Sequence, residues 1–162
     1  DAYIREKKAL YLALISFIEK SDDSTEEYKK LIDIIKKQNI LQEGKEYTKL
    51  IILITSIVND HPLSSDIFNK LEQLYTFLIQ YQPLPINSIL PKKYLKYKYN
   101  KKYLFFLFKK GFANPSESLL SDFKHKRSRN FKFYHYLYPS VKNYLDQATQ
   151  EVIEGEIFQS YN

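Results

Sequence analysis

The stretch 45-KEYTKLIILITSIVND-60 decides the fold. Tyr47, Leu50, Ile51, Ile54 and Val58 recur at the spacing that places side chains on one face of an α-helix. Ile52, Leu53 and Ile57 widen that face, so this helix is expected to be central and well buried. The segment 59-NDHPLSS-65 stops it, because Pro62 lacks an N–H and biases its neighbour away from helix.

The same periodicity runs outward in both directions. Residues 2–20 carry two adjacent stripes, Tyr3, Leu10, Leu14, Phe17 and Ile4, Tyr11, Ile15, Ile18. After 21-SDDSTEE-27, Ser24 and Glu27 have the spacing of a capping box. The helix that follows sets Tyr28, Leu31, Ile32 and Ile35 inward, with Lys29, Lys30, Lys36 and Lys37 opposite. Beyond Pro62, Ser64 or Ser65 caps a helix reaching about Tyr81, with Ile67, Leu71, Leu74, Tyr75 and Leu78 inward.

Residues 82-QPLPINSILP-91 hold three prolines and read as an extended connector. Two or three short helices should follow, one over Lys92–Lys98 and one over Lys101–Lys110. The second ends in KKG, with cations in the last turn and Gly111 able to turn left-handed. In 114-NPSE-117, Asn114 is the expected cap, Pro115 the first helical residue, and Leu119, Leu120 and Phe123 the inward face. Residues 131-FKFYHYLYP-139 read as a short aromatic helix or extended piece stopped before Pro139. A last helix over 140–154 is amphipathic through Val141, Tyr144, Leu145, Ala148 and Val152, with Gly155 beyond its end.

Eight or nine helices with short loops give an all-α fold, either stacked antiparallel hairpins in the manner of an α-solenoid or an irregular bundle. No repeat of fixed period and no ankyrin-type TPLH sequence is present. The 162 residues read as a single helical domain, with an acidic or neutral half 1–82, a connector 83–91 and a basic aromatic half 92–162. A start without Met reads as a piece of a longer chain or a processed form.

Composition narrows the function. The chain is 44% hydrophobic and 27% charged, a globular balance. It has no cysteine, which excludes disulfides and thiolate metal sites and suits a reducing compartment. The longest apolar runs, such as Leu50–Ile54 and Leu104–Phe108, are far below a membrane span of about 20 residues. Three glycines cannot build the phosphate-binding loops of nucleotide enzymes, and no nucleophile motif is present. His61, His125 and His135 form no metal pair at helix spacing. The carboxylates Asp22, Asp23, Glu26 and Glu27 are explained by their place at a helix start. No enzyme and no cofactor is expected.

Charge is the informative feature. Residues 91–132 hold 13 Lys and Arg against Glu117 and Asp122, a net of +11, so the remainder carries −5 of the overall +6. The cations fall in two clusters: Lys92, Lys93, Lys96, Lys98, Lys101 and Lys102, then Lys124, Lys126, Arg127 and Arg129. Tyr94, Tyr97, Tyr99 and Tyr103 interleave with the first cluster, while Phe131, Phe133, Tyr134, Tyr136 and Tyr138 follow the second. Cations beside stacking surfaces suit single-stranded nucleic acid. Tyrosine also stands on core-facing stripes throughout, so these segments equally describe helices with a solvated lysine rim. If the lysines bind, the two clusters should share one side of the fold. The expected partner is then an acidic protein surface, with nucleic acid as the alternative.

The order of features resembles a known family. The segments 4-IREKKALYLALISFIEKSDDS-24, 50-LIILITSIVNDHPLSSDIFNKLEQLYTFLI-79 and 100-NKKYLFFLFKKGFANPSES-118 are similar to the helical N-terminal region of the large ankyrin-repeat protein family of trichomonad parasites. The family motifs correspond here to Phe17-Ile18-Glu19, Asn59-Asp60-His61 and Asn100–Phe108. The likeness covers most of residues 4–120 and fades after Ser121. It implies an intracellular protein–protein interaction scaffold, cytoplasmic or cytoskeleton-associated, and carries over no catalytic residue. No ankyrin repeats follow within this sequence, so either they lie beyond residue 162 or this is a truncated relative.

Overall fold

The computed structural model describes residues 1–85, 101–125 and 131–160. Among them the chain is all-α, with eight α-helices, two 3-10 turns and no strand. Backbone contacts gather into two compact units, Asp1–Ile89 and Leu90–Asn162.

The first unit contains α1 (Ala2–Glu19), α2 (Thr25–Lys37), α3 (Gly44–Asn59) and α4 (Ser65–Leu78), with a 3-10 turn at Ile40–Gln42. Helix α1 packs chiefly on α2 and also meets α3 and α4, which is bundle packing rather than neighbour-only stacking. The α3 stripe is buried as expected: Tyr47, Leu50, Ile51, Ile54 and Val58 are all in the core. So is the α4 stripe of Ile67, Leu71, Leu74, Tyr75 and Leu78. Ser64 is the α4 cap, accepting from the Ile67 N–H at 3.3 Å.

Other expectations need correction. In α1 only Leu10, Leu14, Phe17 and Ile18 are buried, while Tyr3, Tyr11 and Ile4 (64% exposed) face solvent. Ile52 of α3 is also exposed, because it lies opposite the stripe that meets the other helices. Tyr28 and Ile32 of α2 are only half-buried. The capping box at Ser24 does not form. Ser24 has φ −100° and ψ 18°, outside the extended region an N-cap needs, and its side chain makes no cap bond. Asp23 instead accepts from the Thr25 N–H at 3.0 Å and its hydroxyl at 2.5 Å. Helix α4 ends at Leu78, short of Tyr81.

The second unit contains α5 (Lys101–Lys109), α6 (Glu117–His125), α7 (Phe131–Val141) and α8 (Gln147–Ser160). The helix expected over Lys92–Lys98 lies outside the described residues. At the end of α5, Gly111 has φ 76° as anticipated. The Phe112 N–H reaches Leu107 O at 2.9 Å and the Gly111 N–H reaches Phe108 O at 3.2 Å, the paired bonds of a Schellman cap. Phe112 also packs on Phe106, ring centroids 5.6 Å apart, the apolar contact that accompanies such caps.

Three boundaries differ from expectation here. The α6 cap is Ser116, whose hydroxyl accepts from the Leu119 N–H at 3.1 Å. Asn114 is used otherwise, accepting from the Tyr144 hydroxyl at 2.8 Å. Pro139 lies inside α7. It occupies the last turn, where its missing N–H would have met only the His135 carbonyl, and burial of Leu137, Tyr138 and Val141 outweighs that loss. The last helix starts at Gln147, capped by Asp146, which accepts from the Thr149 N–H at 2.9 Å. Gly155 is therefore interior to α8, Val152, Ala148 and Tyr144 are exposed, and Ile153 is the helix's buried residue.

Candidate functional site

The described part of the expected basic surface begins where α5 begins. Lys101 opens that helix, and its Nζ stands 4.9 Å from the centroid of the Tyr136 ring on α7. Phe105, one turn on, meets the same ring edge-on at 5.5 Å. Tyr136 remains 36% exposed, so this is a half-solvated cation–aromatic contact of about 0.5–1 kcal/mol. Lys102 is exposed beside it. Lys101, Lys102, Lys109 and Lys132 have no carboxylate within ion-pair distance among the described residues. Lys124, in the last turn of α6, faces Asp146 at 3.6 Å. Both partners are well exposed, so the pair contributes little. Lys92, Lys93, Lys96, Lys98, Lys126, Arg127 and Arg129 lie outside the described residues, as do Tyr94, Tyr97 and Tyr99.

The aromatics sort by burial. Tyr103, Phe133, Tyr134 and Tyr138 are core residues, while Phe131 and Tyr136 reach solvent. Tyr134 packs edge-on against Phe123 at 5.0 Å, and burial pushes its hydroxyl pKa up to about 12. Most aromatics near the second basic cluster are thus committed to packing.

A polar clasp joins α7 to α8. The Tyr138 hydroxyl donates to Glu154 Oε2 at 2.5 Å, and Lys142 Nζ stands 3.0 Å from the same oxygen. His135 Nε2 lies 3.4 Å from Glu156 Oε2. The Tyr138 hydrogen bond, aided by Lys142, holds the Glu154 carboxyl below its ordinary range. Burial, with the Glu154 carboxylate beside it, pushes the Tyr138 hydroxyl up, so it stays a donor. A folded pKa below the unfolded value contributes stability above about pH 4.5 and loses it as pH falls through the lower folded value. Acidification should therefore raise hydrogen exchange in α8 before α5. Glu154→Gln should remove that pH dependence. If α8 exchange is pH-independent across this window after correction for intrinsic rates, the clasp does not hold the helix.

The other histidines have structural partners or none. His61 Nδ1 lies 2.8 Å from Ile57 O and its Nε2 3.5 Å from Glu19. His125 is exposed at the end of α6. Among the described residues no group of three His, Asp or Glu could hold a metal, and no helix is long and apolar enough to cross a membrane.

Sequence reasoning missed two buried polar centres in the first unit. Lys70 is 5% exposed on the apolar stripe of α4. Its Nζ donates to Ile18 O at 3.0 Å and to Lys20 O, and stands 3.3 Å from Asp66. Helix α1 has no basic residue in its own last turn, so Lys70 satisfies its terminal carbonyls from 50 residues away. A lysine at a core-facing position was the available signal. Tyr47 donates to Gln82 O at 2.8 Å, and Gln82 in turn donates to Leu41 O at 2.9 Å, tying the ends of three segments. Each centre is accounted for by the carbonyls it satisfies.

In comparison with known proteins, the chain matches no family model, no curated protein and no solved structure.

Proposed function

We propose that this chain is a non-catalytic interaction module whose second unit presents a positive surface to an acidic protein partner. The observation that carries this reading is the division of charge between the units. Asp1–Ile89 holds 11 Lys and Arg against 13 Asp and Glu, a net of −2, and Leu90–Asn162 holds 14 against 6, a net of +8. Lysines on α5 and α7 without carboxylate partners among the described residues support it. So does the contact of Lys101 with Tyr136, since α7 begins only about 7.5 Å along its axis from that tyrosine. Lys124, the described member of the second cluster, lies on α6 and faces Asp146. The likeness to the ankyrin-repeat family's helical region fits the same proposal, an intracellular scaffold that could face an acidic cytoskeletal filament.

Nucleic acid is the competing partner. Among the described aromatics of the second unit, Tyr103, Phe133, Tyr134 and Tyr138 are buried and withdrawn from base stacking, which favours protein. A salt series with labelled poly-glutamate and a labelled single-stranded oligonucleotide separates the two. The proposal expects poly-glutamate to bind and to resist displacement by oligonucleotide at physiological salt. Tight oligonucleotide binding with a steep salt slope, displaced by polyanions of any sequence, would assign the surface to nucleic acid. No binding of either probe at low salt would remove the functional reading.

A further inference from the structure

The first unit carries a second, chemically different surface. Helices α2 and α4 both pack on α1, and between them lies a groove of about 290 Å³. Half-buried Tyr28 and Ile32 of α2 and Phe77 of α4 form its floor, and exposed Lys29, Asp33 and Lys36 form its rim. Tyr28, Ile32 and Lys36 follow one another at four-residue spacing, so they form one edge of α2. Of the apolar stripe on that helix, Leu31 and Ile35 are in the core. Tyr28 and Ile32 are left at the groove, in contact with water.

The rim is net positive. Asp33 is engaged by Lys37 at 3.0 Å, and Lys29 meets Glu26 only at 3.9 Å. Lys36 has no carboxylate partner among the described residues, and its Nζ stands 5.6 Å from the Phe77 ring centroid. Drug-sized ligands and cofactors occupy pockets of roughly 300–1,000 Å³ and are mostly enclosed. This groove is at the bottom of that range and open. Its size suits one large side chain.

We propose that the α2–α4 groove docks an acidic peptide through a single bulky apolar anchor. The anchor lies between Tyr28, Ile32 and Phe77, and carboxylates flanking it in the peptide pair with Lys29 and Lys36. The apolar floor supplies affinity by burial, and the lysines select the sign of the flanking charge. This surface is independent of the basic stretches of the second unit.

The test uses the full chain and a labelled peptide with one Phe flanked on both sides by Glu, followed by fluorescence anisotropy. Lys29→Glu with Lys36→Glu should weaken binding by roughly tenfold or more. Both lysines are exposed, so the variant stays folded with only a small fall in melting temperature, from reversed charge in the last turn of α2 and beside Glu26 and Asp33. A peptide with Ser in place of Phe should lose a comparable factor. A chain carrying Glu at positions 96, 98, 127 and 129 should still bind the Phe peptide, which separates this groove from the second unit's surface. Equal binding of the Phe and Ser peptides, or no effect of the Lys29 and Lys36 changes, overturns the proposal. A dimer of this chain that dissociates on the same two changes assigns the groove to a second copy and also overturns it.

Discussion

Truncation of Ile51 or Ile54 to alanine is expected to cost the first unit about 2–5 kcal/mol each. Both side chains are fully buried on α3. Helix α3 packs on α1 and on the 3-10 turn at Ile40–Gln42, so a cavity there removes contacts from more than one element. A unit of 89 residues holds roughly 4–13 kcal/mol in total. Either single variant should therefore shift the denaturant midpoint strongly, and the double variant should leave the unit largely unfolded. Denaturant titration followed by circular dichroism reads both. If each change costs less than about 0.5 kcal/mol, α3 is not the centre of the unit.

Lys70→Met is expected to destabilise the same unit by about 1–3 kcal/mol while keeping the volume of the side chain. The methionine fills the apolar stripe but leaves Ile18 O and Lys20 O without their donor. Asp66 is exposed and regains water, so its loss of a partner adds little. The opposite outcome has a clear physical meaning. A buried ammonium is costly to desolvate, and a variant as stable as the parent would show that this cost cancels the carbonyl contacts. Hydrogen exchange at the end of α1 distinguishes the two, since the account expects fraying there in the variant.

These two sites also show which parts of the fold were legible in sequence. The α3 and α4 stripes were, because residues at the i, i+3, i+4, i+7 spacing meet neighbouring elements together, whereas Ile52, read as widening the α3 face, lies outside that stripe. The left-handed turn at Gly111 was legible because its chemistry is local. Tyr3, Ile4 and Tyr11 were misread because periodicity reports a stripe but not how much of it a neighbour covers. Ser116 and Asn114 were both competent caps, and the choice depended on Tyr144, 30 residues away, taking Asn114. Pro139 obeyed burial rather than its usual role as a terminator. The core-facing position of Lys70 was legible in α4, but its partners were not, being carbonyls about 50 residues distant.

The candidate site was legible as charge and not as geometry. Thirteen cations within residues 91–132 are evident in the sequence, but which of them already have partners is not. Lys124 faces Asp146, and Lys101 rests on Tyr136, whereas Lys102 has no carboxylate within ion-pair distance among the described residues. The aromatics near the second cluster look like a stacking platform in sequence, and helix formation from Phe131 turns most of them into the core.

The central claim concerns the basic stretches, and charge reversal tests it most directly. Lys96, Lys98, Arg127 and Arg129 are replaced by Glu in the full chain, and binding of labelled poly-glutamate is measured beside thermal melting. The account predicts unchanged melting and loss of poly-glutamate binding at a salt concentration where the parent binds. A reversed chain that melts normally and still binds the probe with the parent's affinity would contradict it.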